Sequence, residues 1–177
     1  NGTFGGTTFL FSNPQAVVIE DFNSDTRADL AVANFGGDKV TVFLADNNGG
    51  YSMPNEFDVG IKPISMTSGD FNGDSKLDLA IANNGSANVS ILLGDGTGGF
   101  AAAAHFITGT QPSSIATGDF NKDSKLDLVT ANDAGSNVSF LLGQGDGSFA
   151  TTGSFSAGLR PTSIDVDDFN GDQNLDL

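Results

Sequence analysis

The chain has no cysteine and no tryptophan, and only 7 Lys or Arg stand against 22 Asp or Glu in 177 residues. Without cysteine neither a disulfide framework nor a thiolate metal site can form, so stability must come from packing, hydrogen bonds and hard cations. The formal charge of −15 argues against a nucleic-acid binder and against a binder of anionic membranes, because both need a basic face. No apolar run approaches the roughly 18 residues of a membrane span. Asn1 opens the chain without a charged region, and no segment reads as a signal peptide. Hydrophobic residues still make up 38%, with 15 Phe, enough for a packed core and a single domain.

The 24 Gly and 20 Asp fall into a repeat. Phe22, Phe71, Phe120 and Phe169 are each 49 residues apart, and each sits in an Asp-Phe-Asn triplet. Pro14, Pro63, Pro112 and Pro161 keep that spacing, as do Gly60, Gly109 and Gly158. A 49-residue unit is too long for ankyrin or leucine-rich repeats and matches the four-stranded blades of propellers.

Inside each unit the apolar residues alternate with period two: Val40, Val42, Leu44; Val89, Ile91, Leu93; Val138, Phe140, Leu142. Such alternation predicts half-buried strands. Four strands per unit are expected and no helix. The first follows each proline (16–19, 65–68, 114–117), the second covers 30–34, 79–83 and 128–132, the third is the alternating run, and the fourth follows a Gly-rich turn. Proline suits the head of a strand, and the glycine three residues earlier reads as the turn entering it. Tyr51, Met53 and Met66 read as packing residues.

The connection between first and second strands reads Asp-x-Asn-x-Asp-x-x-x-Asp in all four copies: Asp21, Asn23, Asp25, Asp29; Asp70, Asn72, Asp74, Asp78; Asp119, Asn121, Asp123, Asp127; and Asp168, Asn170, Asp172, Asp176. Alternate residues of a tightly curled loop point inward, so three carboxylates and an amide oxygen converge. Two carboxylates about 4 Å apart at an effective dielectric near 20 repel by roughly 4 kcal/mol, which calls for a cation. Oxygen donors without His or Cys select calcium. Turn chemistry alone does not demand Asp at three positions in every copy. An EF-hand is excluded because the twelfth residues, Val32, Ile81 and Thr130, already lie in strands and carry no carboxylate.

Asp70 to Asn83, Asp-Phe-Asn-Gly-Asp-Ser-Lys-Leu-Asp-Leu-Ala-Ile-Ala-Asn, resembles the FG-GAP/VCBS repeat family of integrin α-subunit propellers and many bacterial secreted proteins. The resemblance covers essentially the whole chain. It implies an all-β propeller of four-stranded antiparallel blades, with Ca2+ in each loop, up to four per chain. It also adds a ligand, the carbonyl oxygen at loop position seven, here Arg27, Lys76, Lys125 and Asn174. That family usually has Gly at position six, where this chain has Thr26, Ser75, Ser124 and Gln173. A positive φ there would cost a non-Gly residue about 1 kcal/mol and weaken affinity.

The expected organisation is one repeat domain, 1–177. Residues 1–11 form the last strand of an incomplete blade, since Gly2-Thr3-Phe4 matches Gly98-Gly99-Phe100. Blades follow at 14–62, 63–111 and 112–160, and 161–177 begin a further blade. Propellers close with about four to eight blades, so the chain could close on itself as a small ring with a composite blade, be a piece of a longer propeller, or pair with a second copy; self-association into a homodimeric ring of about eight blades is the expectation favoured.

Propellers host unrelated activities, so function rests on sites. One His, one Tyr and two Arg offer no acid, base or nucleophile in register, and no enzyme is expected. His105 reads as a strand residue. Four equivalent carboxylate loops do not supply the two unlike environments that acid–base catalysis needs. Lys62, Gln111 and Arg160 share the position before the proline, a solvated rim that could meet an anionic or glycan ligand. The expected function is an extracellular adhesion or ligand-binding module, for glycan or protein, with calcium structural and turns 34–39, 83–88 and 132–137 displaying variable contacts. The alternatives are the propeller part of a larger secreted enzyme such as a polysaccharide lyase, or a pure scaffold. Asn-x-Ser/Thr triplets begin at Asn1, Asn84, Asn88 and Asn137.

Overall fold

The computed structural model describes residues 11–52 and 54–177. The strand expected over 1–11, the packing role of Met53 and the triplet at Asn1 therefore lie outside the described residues. Twelve strands form three four-stranded antiparallel sheets, and no helix occurs among the described residues. The first sheet runs β1 (Pro14–Glu20), β2 (Asp29–Asn34), β3 (Lys39–Phe43) and β4 (Asn55–Asp58). The second runs β5 (Pro63–Gly69), β6 (Asp78–Asn83), β7 (Asn88–Leu92) and β8 (Ala104–Ile107), and the third β9 (Pro112–Gly118), β10 (Asp127–Asn132), β11 (Asn137–Gly143) and β12 (Phe149–Ser156). Each sheet keeps sequence order from inside to rim, and β1, β5 and β9 stand side by side, the arrangement of propeller blades.

Period-two alternation sends the two sides of the middle sheet to two different cores. Ala31, Ala33, Val40 and Val42 of the first blade meet Met66, Leu79, Ile81 and Leu92 of the second. Ala80, Ala82, Val89 and Ile91 of the second blade meet Ile115, Leu128 and Leu141 of the third. The middle blade is thus covered on both faces, and every residue of β6 is buried.

Two expectations need correction. The fourth strand does not leave the Gly-rich turn directly in the first two blades. Only the bridges Ala45↔Tyr51 and Gly94↔Phe100 form there, and the ladder resumes at Asn55 and Ala104. Pro54 removes a ladder donor in the first blade, and an alanine run, 101–104, is a weak strand former in the second. In the third blade β12 is continuous from the turn, with an irregularity opposite Phe140 and Leu141 absorbed by Gly153 at φ 137°. The first strand expected in the fourth unit is also missing: 161–177 make the single bridge Asp167↔Asp176.

Candidate metal centre

The four Asp loops repeat one hydrogen-bond plan. The first-position carboxylate gathers backbone N–H groups from across the loop: Asp21 accepts from Asp25 (3.0 Å) and Thr26 (2.7 Å), and Asp119 from Asp123 (3.0 Å) and Ser124 (2.8 Å). Asp70 accepts from Gly73 (2.7 Å), Asp74 (3.1 Å) and Ser75 (2.8 Å), and Asp168 from Gly171 (2.7 Å), Asp172 (3.0 Å) and Gln173 (2.8 Å). The Oδ1 atoms of Asn23, Asn72, Asn121 and Asn170 accept from the N–H two residues on, at 2.9–3.1 Å. Asp25, Asp74, Asp123 and Asp172 accept from the N–H at position seven, at 2.8–3.0 Å. The loop therefore curls around its acids with N–H groups facing inward.

The ninth-position carboxylate joins loop to blade. Asp29, Asp78 and Asp127 are fully buried. One oxygen of each takes the N–H of Phe22, Phe71 or Phe120 (2.9–3.0 Å), and the other takes the N–H of Ala45, Gly94 or Gly143 at the end of the third strand (2.7–2.8 Å). Burial pushes these carboxyls above the ordinary range against those N–H bonds, and the acids at positions five and one push them further in the same direction. Burial also pushes Asp21 upward, but the N–H groups of Thr26, Asp25, Asn23 and Ser24 outweigh it and hold the carboxyl below the usual range.

All twelve acids and four Asn of the motif are thus brought into four compact loops. Among the described residues, however, no three acidic or imidazole side chains are gathered as a metal-holding group. Two arrangements account for that. The ninth acid is engaged on both oxygens, and the fifth acid turns to the side chain at position seven: Asp25 pairs with Arg27, Asp74 with Lys76 (3.2 Å), Asp123 with Lys125 (3.8 Å), and Asp172 accepts from Asn174 (2.8 Å). The donor chemistry still fits a hard divalent cation, being all oxygen, and the mutual push among three acids in each blade's loop is a charge that such a cation would relieve.

Position six, where the resembled family usually has Gly, is left-handed: Thr26, Ser75, Ser124 and Gln173 have φ of 71°, 63°, 66° and 66°. Position four is left-handed too, at Ser24 (59°), Gly73 (77°), Lys122 (61°) and Gly171 (79°). Sequence reasoning passed over it because Gly stands there in only two copies.

Lys62 and Arg160, two of the three rim residues expected before the prolines, are exposed and have partners inside the chain. Arg160 makes a bidentate pair with Asp133 of the β10–β11 turn (2.8 and 3.1 Å), and Lys62 Nζ lies 5.7 Å from the ring centre of Phe35. At the middle joint Asn84 Nδ2 donates to Pro112 O at 3.1 Å. Phe35, Asn84 and Asp133, at one repeat position, thus each contact the segment around the next proline.

Ser90 Oγ lies 3.0 Å from His105 Nδ1, a pairing reminiscent of nucleophile activation. Ser90 is fully buried, and its oxygen already accepts from Gly60 N (3.0 Å) and Asn83 Nδ2 (2.8 Å). Ser139 repeats both bonds with Gly109 and Asn132, with Ser154 standing where His105 does. The pair braces a blade. Beside it, a cleft of about 370 Å3 opens at the rim between the first two blades, lined by Glu56, Phe57, Asp58, Phe100 and His105 among others.

The FG-GAP-like repeat model matches residues 21–81, 70–130 and 119–177. No curated protein matches the chain. Among solved structures, a functionally unknown protein from Desulfotomaculum acetoxidans is similar at a TM-score of 0.64 and 17% identity, over 85% of this chain and 44% of that one. The periplasmic gluconolactonase of Pseudomonas aeruginosa gives 0.62 and 16%, over 84% and 41%. A candidate 6-phosphogluconolactonase from Bacteroides fragilis gives 0.61 and 22%, over 86% and 41%. At such identities the likeness is one of fold, and the chain spans less than half the length of each.

Proposed function

Because the chain belongs to the FG-GAP-like repeat family, we propose that it is a calcium-braced, non-enzymatic binding module working where calcium is plentiful, outside the cell or at its surface. The observation that carries this reading is the buried ninth-position acid, tied by its two oxygens to loop and third strand and pressed by two neighbouring acids in each of three blades. The residues that would hold the ion are the side chains at positions one, three, five and nine with the carbonyl oxygen at seven. The bound ion supplies positive charge that offsets those acids. Four ions take the formal charge from −15 to −15 + 8 = −7. At roughly 1 mM calcium and a dissociation constant of about 0.1–1 mM, each site adds about 0.4–1.4 kcal/mol of stability.

Rigid blades then present their rim to a ligand. The cleft beside His105 offers carboxylates, an imidazole and aromatic edges, groups suited to sugar hydroxyls or to a polar peptide. Thermal unfolding in calcium, magnesium and chelator, followed by glycan-array binding in calcium with a parallel lyase and hydrolase assay, tests the reading. It expects a higher midpoint in calcium and binding without turnover. Turnover would transfer the chain to the enzyme class, and an unchanged midpoint would remove the calcium brace.

A further inference from the structure

We infer that His105 is a pH-dependent latch in the wall of the rim cleft, its ring fastened to the middle blade by Ser90 when neutral and released from it when charged. The latch needs neither calcium nor a bound ligand, so it stands apart from the binding-module reading. A serine hydroxyl has one proton to give and two lone pairs to fill. Ser90 is fully buried, and both of its lone pairs are filled, one by the N–H of Gly60 (3.0 Å) and the other by Nδ2 of Asn83 (2.8 Å). The second Nδ2 hydrogen of Asn83 goes to Asn88 Oδ1 (2.9 Å), so that amide has no hydrogen to spare. What Ser90 has left is its proton, and the remaining partner is His105 Nδ1 at 3.0 Å. Nδ1 therefore accepts, and the neutral ring carries its own hydrogen on Nε2.

Charging the ring puts a hydrogen on Nδ1 as well, and that hydrogen meets an oxygen whose lone pairs are already used. One of the three bonds to Ser90 must break. Gly60 and Asn83 are buried, whereas His105 is exposed on β8, so the ring is the partner with room to move. The third blade shows that the bracket stands without it. Ser139 pairs across the strands with Ser154, as Ser90 does with His105, and it keeps the bonds from Gly109 (3.0 Å) and Asn132 (2.9 Å).

The surrounding charges favour the same movement. Apart from His105, β7 and β8 carry no charged or titratable side chain, and the bracket of Gly60, Asn83, Asn88 and Ser90 is neutral. On the cleft side stand Glu56 and Asp58 of β4, with Lys39 Nζ 2.8 Å from the first and 4.0 Å from the second. These three groups leave one negative charge, which an imidazolium cancels. Histidine changes its charge between about pH 5 and pH 8. Over that range the cleft wall passes from one ring N–H with a net negative charge to two ring N–H groups with none. Glu56 and Ser154 stand at the place of His105 in the first and third blades, so the latch belongs to the middle blade alone.

The chain has one histidine, so its ring is read without overlap. The isotope-labelled chain is followed by long-range proton–nitrogen NMR from about pH 8 down to about pH 5, beside His105→Ser, which copies the third blade and keeps the bracket. At the alkaline end the expected pattern is a bare Nδ1 and a protonated Nε2, with ring contacts to the Ser90 side chain. At the acid end those contacts are lost. The Gly60 amide signal shifts across the range in the parent and stays still in His105→Ser. A protonated Nδ1 at the alkaline end overturns the placement of the hydrogens, and ring contacts with Ser90 that persist in acid overturn the release. A Gly60 signal that moves equally in both proteins would assign the response to the acidic residues and overturns the latch as well.

Discussion

Thr130 Oγ1 donates to Asn132 Oδ1 at 3.1 Å in the third blade, and the same atom of Asn34 and of Asn83 is buried without a partner in the first two. The positions equivalent to Thr130 are Val32 and Ile81, which have no hydroxyl. All three Asn side chains otherwise brace second strand to third, through Thr41, Ser90 and Ser139.

Thr130→Val is therefore expected to destabilise by about 1–3 kcal/mol, since it leaves a buried acceptor unpaired. Val32→Thr, which would ordinarily cost stability in a core, is expected to stay within about 0.5 kcal/mol of the parent because its hydroxyl meets Asn34 Oδ1. Urea unfolding of both variants checks the contrast. An equal loss in the two would show that the orphaned oxygens have no energetic consequence.

Gly60→Ala and Gly109→Ala are each expected to cost about 1–3 kcal/mol from overpacking. A Cβ on Gly60 would stand 2.5 Å from Ser86 Oγ and 2.6 Å from Asn83 Nδ2, and one on Gly109 2.6 Å from Asn132 Nδ2 and Asn137 Oδ1. Near-parent stability in thermal melts would mean that the Asn side chains can shift without loss.

Those glycines show where sequence reading stops. Strand order, period and loop acids are local patterns, so blades, their three-fold repetition and the loops are legible from spacing alone. Gly60 and Gly109 read as turn residues, yet neither has a positive φ. They are glycine because an Asn from the neighbouring second strand fills the space, a contact between residues more than 20 apart that no local pattern encodes. Arg160 with Asp133 and Lys62 with Phe35 are of the same kind. The left-handed residues at position four were hidden because Ser24 and Lys122 occupy a conformation in which only Gly is diagnostic.

Thr26→Gly is expected to stabilise the fold by about 0.5–1 kcal/mol, the left-handed strain relieved less the backbone entropy that glycine adds to the unfolded chain. The positive φ is already part of the folded loop, so the gain should appear in chelator as well as in calcium. Matched melts in the two conditions check this. A gain confined to calcium would return the strain to the affinity, as the family resemblance implied.

Lys76→Met and Lys125→Met are expected to tighten calcium binding at their loops by about fivefold, because each removes a cation that competes for the fifth-position acid, Asp74 or Asp123. Calorimetric titration of the two variants reads the change. Weaker binding would show that these side chains support the site rather than oppose it.

The most direct test of the calcium account is a count of ions per chain by equilibrium dialysis near 1 mM calcium, on the parent and on Asp78→Asn. The account predicts a stoichiometry of roughly two to 3.6 for the parent at that concentration, rising toward four as calcium saturates, and a plateau one lower for the variant, with magnesium failing to substitute. No bound calcium in the parent, with an unchanged fold, would leave the sixteen loop residues as turn formers held by their own backbone N–H groups and would contradict the account.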